Sequence, residues 1–486
     1  MDNVPRIAWR PLSAVAVIVF AVLFGLSGRY GYHRDELYYL AAGRHLAWGY
    51  DDQPPLVVLL ARLADEVAGG ALMVLRLPAT LALTAIVLLT GLITRELGGA
   101  AKAQTLAAVA MGCAPVMVIS GHLLSTTILD IFWWTLLAFL LVRYLRVPNG
   151  GLLYLSGPVI GLALLTKTLV AVFLAGLFTG LLVAGPRNIF KRPALWVAAA
   201  IALLMWAPNL WWQARHGWPQ LEMTAVIRDD ADWGGQLFVA PMQLLIMGPL
   251  LATPIWIAGL WRLLRSPDLR LFRAFGIAYL VVLVLVIATG GRLYYPAGAY
   301  AVLVAAGSLA AVSWFKRKLT PAAAVAFTVL WTMVMGLPIF PIGVLADTPQ
   351  PALNYDSGET VGWPELTATV ATVYNGLPEG ERRTAVILTS NYGQAGAIAH
   401  YGPALGLPQP YSGHLAFWRW GPPPDSATGP VIIVSQRTPA FCDSAEIAAR
   451  NDNGYRVDND EQGVPIWLCR GLKQPWQAVW PGLRHL

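Results

Sequence analysis

Residues 29–62 read RYGYHRDELYYLAAGRHLAWGYDDQPPLVVLLAR. Four carboxylates, Asp35, Glu36, Asp51 and Asp52, stand among His33, His45, Arg34 and Arg44, with Tyr32, Tyr38, Tyr39, Trp48 and Tyr50 interleaved. The apolar run 11–28 leads straight into this stretch, and charge is scarce elsewhere in the first half of the chain. A polar cluster beside a membrane is costly unless it faces water or a substrate. The stretch therefore reads as a loop that the rest of the chain is arranged to hold.

Working outward, apolar runs of spanning length fall near 11–28, 72–94, 103–119, 126–142, 151–166, 168–185, 194–212, 239–261, 273–289, 295–313 and 320–340. They predict about eleven transmembrane helices. Basic residues alternate between the runs. Arg6 and Arg10 precede the first, Arg95 and Lys102 follow the second, and Arg143 and Arg146 follow the fourth. Arg187, Lys191 and Arg192 follow the sixth, Arg262, Arg265, Arg270 and Arg273 the eighth, and Lys316, Arg317 and Lys318 the tenth. All these clusters share one side if the N-terminus is cytoplasmic. Loops 29–70, 120–125, 213–238 and 290–294 then face outside, as does everything after about residue 341. Residues 11–28 lack a small-residue cleavage site and read as a retained helix rather than a signal peptide. Loop 213–238, with Asp229, Asp230 and Asp232 among aromatics, suits an amphipathic segment at the interface.

The composition turns polar after Ile342. AVILTS (385–390), PVIIVS (430–435) and VPIWLCRG (464–471) read as strands, and AGAIAHYG and SAEIAARN as helices. Alternation of this kind predicts a small soluble α/β domain over 343–486, outside the membrane. The expected fold class is thus a mainly α-helical polytopic membrane protein, residues 1–342, with a C-terminal soluble α/β domain. Overall, 56% of the 486 residues are hydrophobic and 13% charged, against about 25% charged in soluble domains. The net charge of +7 resides in short loops between apolar runs, so it sets topology and is no nucleic-acid signal. Cys113 lies in an apolar run. Cys442 and Cys469 lie in the polar part, and outside the cytoplasm they could pair or stay as two thiols.

The first loop resembles that of polyprenyl-phosphate-sugar glycosyltransferases of the GT-C superfamily. Its pattern is similar to D-E-x-Y-Y followed by G-Y-x-D-x-P-P-L in the branch of bacterial protein mannosyltransferases and aminoarabinose lipid A transferases. The C-terminal segments TSNYGQAGAIAHYG and SGHLAFWRWGPP resemble the soluble part of one bacterial branch, with Leu415 where Asn is usual. The resemblance implies an inverting transfer of a sugar from a polyprenyl phosphate to a cell-envelope glycan, lipid or protein, at the outer face of the cytoplasmic membrane.

The resemblance also implies roles for individual residues. Asp35 matches the Asp of the D-E pair and would be the general base for the acceptor hydroxyl. Polyprenyl phosphate is stable as an anion, so its departure needs no acid. The competing reading of Asp35 is a cap on the helix that begins at Glu36. Glu36 either binds acceptor, pairs with Arg34, or is a solvated carboxylate at the helix start. Asp52 would orient hydroxyls or bind a cation with Asp51, although paired Asp is also a common turn feature. Tyr39, in the D-E-x-Y-Y run, is counted with the substrate-binding candidates. Gln53 stands where relatives carry Lys or His before the first Pro, so the phosphate must find its cation elsewhere or the donor is held differently. Asp130 resembles the second acidic residue of the superfamily and would position substrate; otherwise it is a buried Asp bonded to Thr126, Thr127 or His122. Lys167 in GLALLTKTL, Arg292 in TGGRLYYPAGAY and Arg76 in LRLPA are the candidate phosphate cations, each alternatively a snorkelling side chain. Tyr294 and Tyr295 would contact the lipid phosphate region or belong to an aromatic belt. His122 is kept as a substrate-binding candidate. The histidines show no metal spacing, so no metal site is predicted, and a divalent cation stays open. A transporter or lipid flippase would also need many helices and intramembrane charge, but no paired hydropathy repeat stands out. An inactive relative serving as an assembly subunit is a third reading.

Overall fold

A computed structural model describes residues 4–229, 235–248, 250–314 and 320–486. Asp230 and Asp232, and the basic cluster Lys316, Arg317 and Lys318, lie outside the described residues. The chain forms two compact units. The first comprises residues 1–27, 53–57 and 76–337; the second comprises 28–52, 58–75 and 338–486.

The first unit is helical. Among the described residues six helices are long and apolar enough to cross a membrane: Trp9–Leu26, Leu72–Glu96, Thr126–Arg146, Pro193–Arg215, Pro267–Thr289 and Tyr295–Trp314. The run 103–119 becomes two helices, Ala101–Gly112 and Pro115–His122, bent by 58° at the break. Pro115 has no N–H to continue the ladder, so the second helix restarts there. Counted as one span, this pair makes seven. Shorter apolar helices, Gly150–Thr166 and Val170–Ala184, fill the fifth and sixth runs, and Ala322–Gly336 lies in the last. The run 239–261 is broken into Val239–Ile246 and Ala252–Arg265. Close packing relies on small residues, as expected where apolar burial gives no driving force. A Cβ on Gly259 would stand 1.8 Å from the Leu303 carbonyl, and one on Gly307 1.8 Å from that of Ile255. Within 213–238, Pro219–Asp229 is a helix with only Pro219 buried.

The second unit joins the first loop to the C-terminal part. Its sheet has five strands in the order β2-β1-β3-β5-β4. These are β1 (Val386–Thr389), β2 (Pro410–Ser412), β3 (Val431–Val434), β4 (Cys442–Arg450) and β5 (Pro465–Leu472). β1 runs parallel to β2 and β3, while β5 runs antiparallel to β3 and β4. β1, β3 and β5 fall on the three expected strands. SAEIAARN, expected as a helix, is β4 instead. Its Ala and Glu favour a helix locally, but ladder bonds to β5 and the Cys442–Cys469 disulfide override that preference. The helix Tyr392–Tyr401 packs on Arg34–Gly43 with its glycines at the contact. A Cβ on Gly396 would stand 2.8 Å from the Leu37 backbone, and one on Gly393 2.8 Å from Arg34 Cβ. Leu37 joins Trp363, Ile387, Ile398, Ile432 and Ile466 in one core.

Candidate active site

The first-loop helix Arg34–Gly43 starts with a capping box made by other residues than Asp35. His33 Nδ1 accepts the Asp35 N–H at 3.2 Å, and Glu36 accepts the His33 N–H at 2.9 Å. Glu36 is fully buried, so it is not a solvated carboxylate, and one of its oxygens is engaged in this cap. Arg34 instead donates to the Tyr355 hydroxyl at 3.0 Å and lies 3.7 Å from Glu359 and 3.5 Å from Asp460. Burial pushes the Glu359 carboxyl up to about 7 against the pull of Arg34. With the cap supplied elsewhere, the Asp35 carboxylate keeps about a third of its surface and accepts the Tyr392 hydroxyl at 2.7 Å. Tyr392 is the residue that the sequence reading missed; it stood inside the TSNYGQ segment. Asn391 caps its helix, and the Gly393 and Gly396 contacts bring it onto Asp35. His33 is nearly buried, 3.6 Å from Asp356. Burial opposes its charge, yet Asp356 and Asp35 outweigh this and hold its pKa above the ordinary value.

The two aspartates that follow separate in role. Asp51 is buried, and Arg419 Nε reaches its two oxygens at 2.9 and 2.7 Å. Its charge is thus committed to the SGHLAFWRW segment, which removes the expected cation pair with Asp52. Asp52 is half-buried and accepts the Tyr38 hydroxyl at 2.9 Å. Burial pushes its carboxyl up to about 7; the Tyr38 bond lowers it, and the Asp51 and Asp35 charges raise it. Tyr38 lies beside Tyr392, ring centres 5.2 Å apart, and Tyr39 is buried. Asp35, Asp52, Tyr38 and Tyr392 therefore form one connected group, in which Asp52 can change charge near neutral pH.

In the first unit, segments far apart in sequence converge. Asp130 is buried and accepts the Trp134 indole N–H at 2.9 Å, one turn along its own helix. The expected bonds to Thr126, Thr127 or His122 are replaced by this one. Trp134 stacks on Phe173 at 4.5 Å, and a Cβ on Gly298 would stand 2.5 Å from its ring. The YYPAG segment thus reaches Asp130's helix because residue 298 has no side chain. Lys167 ends the helix Gly150–Thr166. Its ammonium lies 4.7 Å from the Tyr295 ring centre, 5.6 Å from that of Tyr294 and 3.5 Å from the Thr127 hydroxyl. It is within electrostatic range of Asp130. Asp130, Lys167, Tyr294 and Tyr295 are thereby brought together. Arg292 lines a cavity of about 170 Å³ with Arg228, Phe238 and Met242.

Arg76 stands apart from these. It is fully buried, donates to the Ser27 carbonyl at 2.8 Å and faces His122 Nε2 at 3.5 Å. It does not snorkel, and a carbonyl at the end of the first helix takes its charge. Gln53 is buried in the first unit. Among the described residues no group of three or more His, Cys, Asp or Glu is arranged to hold a metal ion.

A protein-family model described as dolichyl-phosphate-mannose-protein mannosyltransferase matches residues 52–212. The lipid A galacturonosyltransferase RgtD of Rhizobium johnstonii is 28% identical over 245 residues, which are 48% of this chain and 49% of that protein. That match therefore spans about half the length of the relative. The crystal structure of ArnT from Cupriavidus metallidurans bound to undecaprenyl phosphate superposes with a TM-score of 0.59 at 17% identity, covering 94% of this chain and 97% of that one. Its apo form gives 0.59 at 16%, covering 94% and 96%. The chain is thus similar to this mannosyltransferase family over residues 52–212 and shares the ArnT fold over nearly its whole length.

Proposed function

We propose that the protein is a membrane glycosyltransferase that moves a sugar from a polyprenyl-phosphate donor to a hydroxyl of a cell-envelope glycan, lipid or protein. The reaction takes place at the outer face of the cytoplasmic membrane, with inversion. The acceptor oxygen attacks the anomeric carbon, the bond from that carbon to the phosphate oxygen breaks, and polyprenyl phosphate leaves with the electron pair. Asp35 takes the acceptor proton. Asp52 orients hydroxyls as a hydrogen-bond acceptor when ionised. Asp130 positions substrate, and Lys167 and Arg292 offset charge on the phosphate.

The observation that carries this reading is the freedom of Asp35 from the cap. A carboxylate at a helix start is ordinarily spent on backbone N–H groups. Here His33 and Glu36 do that work, and the partly exposed Asp35 carboxylate is aimed by one tyrosine hydroxyl. The donor class draws support from a neighbour that binds undecaprenyl phosphate and from a relative named as a lipid A galacturonosyltransferase.

The test uses the full chain purified in detergent with a panel of undecaprenyl-phosphate sugars, following release of undecaprenyl phosphate. One sugar is expected to turn over, and Asp35→Asn to lower kcat by roughly 10²–10⁴. Release that survives Asp35→Asn removes the base. Absence of turnover with any donor, beside tight binding of one, points to an inactive relative or a transporter.

A further inference from the structure

Three other buried glutamines are hydrogen-bonded at both ends of the amide. Gln104 accepts the Ala8 N–H and donates to the carbonyls of Arg6 and Gly99. Gln243 donates to the Val239 and Leu293 carbonyls and accepts the Tyr300 hydroxyl. Gln394 donates to Glu461 and accepts the Ser390 N–H and hydroxyl. Gln53 breaks the pattern. Its side chain is 3% exposed, and neither its oxygen nor its nitrogen has a hydrogen-bond partner. Among the described residues it is the one buried amide side chain with both its oxygen and its nitrogen left open. A buried polar group without a partner is costly, so each such group points to something that completes it. The backbone holds the group in place, because Pro54 and Pro55 follow it and a residue before proline is confined to extended conformations.

The chemistry of the amide narrows what completes it. A carboxamide offers two N–H donors and one oxygen acceptor. A phosphate only accepts, so it would satisfy the nitrogen and set its own charge against the open oxygen. An ammonium only donates and would satisfy the oxygen alone. A hydroxyl both donates and accepts, and two neighbouring hydroxyls match both ends of the amide. Exchange of oxygen and nitrogen in the amide leaves this argument unchanged, since both are open.

We infer that Gln53 is a specificity-determining contact for a neutral vicinal diol of the donor sugar and is not a ligand of the donor phosphate. This rests on the polyprenyl-phosphate donor proposed above. A diol could also come from a saccharide acceptor, and the measurements below separate the two sources.

The experiment compares wild type with Gln53→Met, which keeps the length and removes the hydrogen bonds, and with Gln53→Glu, which keeps the shape and adds charge. Affinities are measured for undecaprenyl phosphate and for its mannosyl, glucosyl and galacturonosyl derivatives. Wild type is expected to bind one sugar-bearing lipid more tightly than undecaprenyl phosphate. Gln53→Met should lose roughly tenfold of that preference while binding undecaprenyl phosphate as wild type does. Its thermal midpoint should not fall, since an open buried amide has been replaced by an apolar chain, and Gln53→Glu should likewise leave undecaprenyl phosphate binding in place. Equal loss for all the lipids in either variant assigns the residue to the phosphate and overturns the inference. Unchanged lipid affinities with a raised acceptor KM move the diol to the acceptor, and unchanged values throughout leave only an internal water; both overturn it. A wild-type protein that binds none of these lipids overturns the donor reading and the inference together.

Discussion

At the scale of single residues, the first loop divides four carboxylates into four different fates. Glu36 caps a helix, Asp51 is neutralised by Arg419, Asp35 is aimed by Tyr392, and Asp52 titrates near neutral pH. The last of these gives a pH prediction. Burial raises the Asp52 pKa to about 7, so ionised Asp52 is lost as pH falls through that value. If the ionised form orients a substrate hydroxyl, kcat/KM falls on the acid side with a limb near 7. Tyr38 lowers this pKa through its hydrogen bond, so Tyr38→Phe should move the limb to higher pH. Asp52→Asn should abolish it, at the cost of a lower plateau. A profile that keeps the same acid limb in Asp52→Asn would remove Asp52 from the pH dependence. The sequence carried the acidic pairs in plain view, but not their division. Asp51 and Asp52 are neighbours of the same type, and what separates them is Arg419, 368 positions away. In the same way Tyr392 lies 357 positions from Asp35. No local pattern encodes such a partner, whereas the bond from Asp130 to Trp134 is at helical spacing and could have been read from DIFWW.

At the scale of elements, two of the contacts between the first loop and the C-terminal part can be tested separately. The first is the glycine contact between Tyr392–Tyr401 and Arg34–Gly43. A methyl group on Gly396 would meet backbone, not the movable end of a side chain, so the helices must part. Gly396→Ala should cost about 1–3 kcal/mol. It should also lengthen the Tyr392–Asp35 bond, which would lower kcat beyond what a small fall in thermal midpoint explains. A variant with the lowered midpoint and full turnover would separate this contact from catalysis. The second is the Asp51–Arg419 pair. Arg419→Ala leaves a buried carboxylate without its cation and should cost about 3–5 kcal/mol. In a double-mutant cycle with Asp51→Asn the two losses should fall well short of adding; additive losses would mean that the pair does not interact. Element types were legible where burial pattern and local preference agreed, as in the apolar runs of β1, β3 and β5. They were not legible in β4. Its SAEIAARN run is exposed along most of its length, so it carries little apolar signal, and its strand form depends on β5 and a disulfide. The run 239–261 was legible as apolar but not as broken, because hydropathy averages over a break.

At the scale of the whole molecule, charge and parity bear on the proposed orientation. An N-terminus in the cytoplasm and a C-terminal part outside require an odd number of crossings. Among the described residues the long helices number six, and seven with the bent pair; the expected eleven would need the four runs made of shorter or broken helices as well. Both seven and eleven are odd. The basic clusters also meet physically at one end of the first unit. Arg95 donates to the Pro5 carbonyl at 2.9 Å, and Arg95, Arg143 and Arg146 all reach buried Glu96 at 2.7–2.8 Å. Three clusters from separate loops therefore share one side, as a cytoplasmic face requires. At the other terminus, the Cys442–Cys469 disulfide belongs in an oxidising compartment. Closing a loop of 27 residues should contribute about 3.5 kcal/mol in the chain-entropy description. A C-terminal alkaline phosphatase fusion should then be active in intact cells and a C-terminal green fluorescent protein fusion dark. Cys442 and Cys469 should resist alkylation until reduced, and reduction should lower the thermal midpoint. A bright fluorescent fusion with freely alkylated cysteines would put the second unit in the cytoplasm. Asp35 and Asp52 would then face the wrong side of the membrane for a reaction at its outer face, so this one measurement bears on the fold's orientation and the proposed chemistry together.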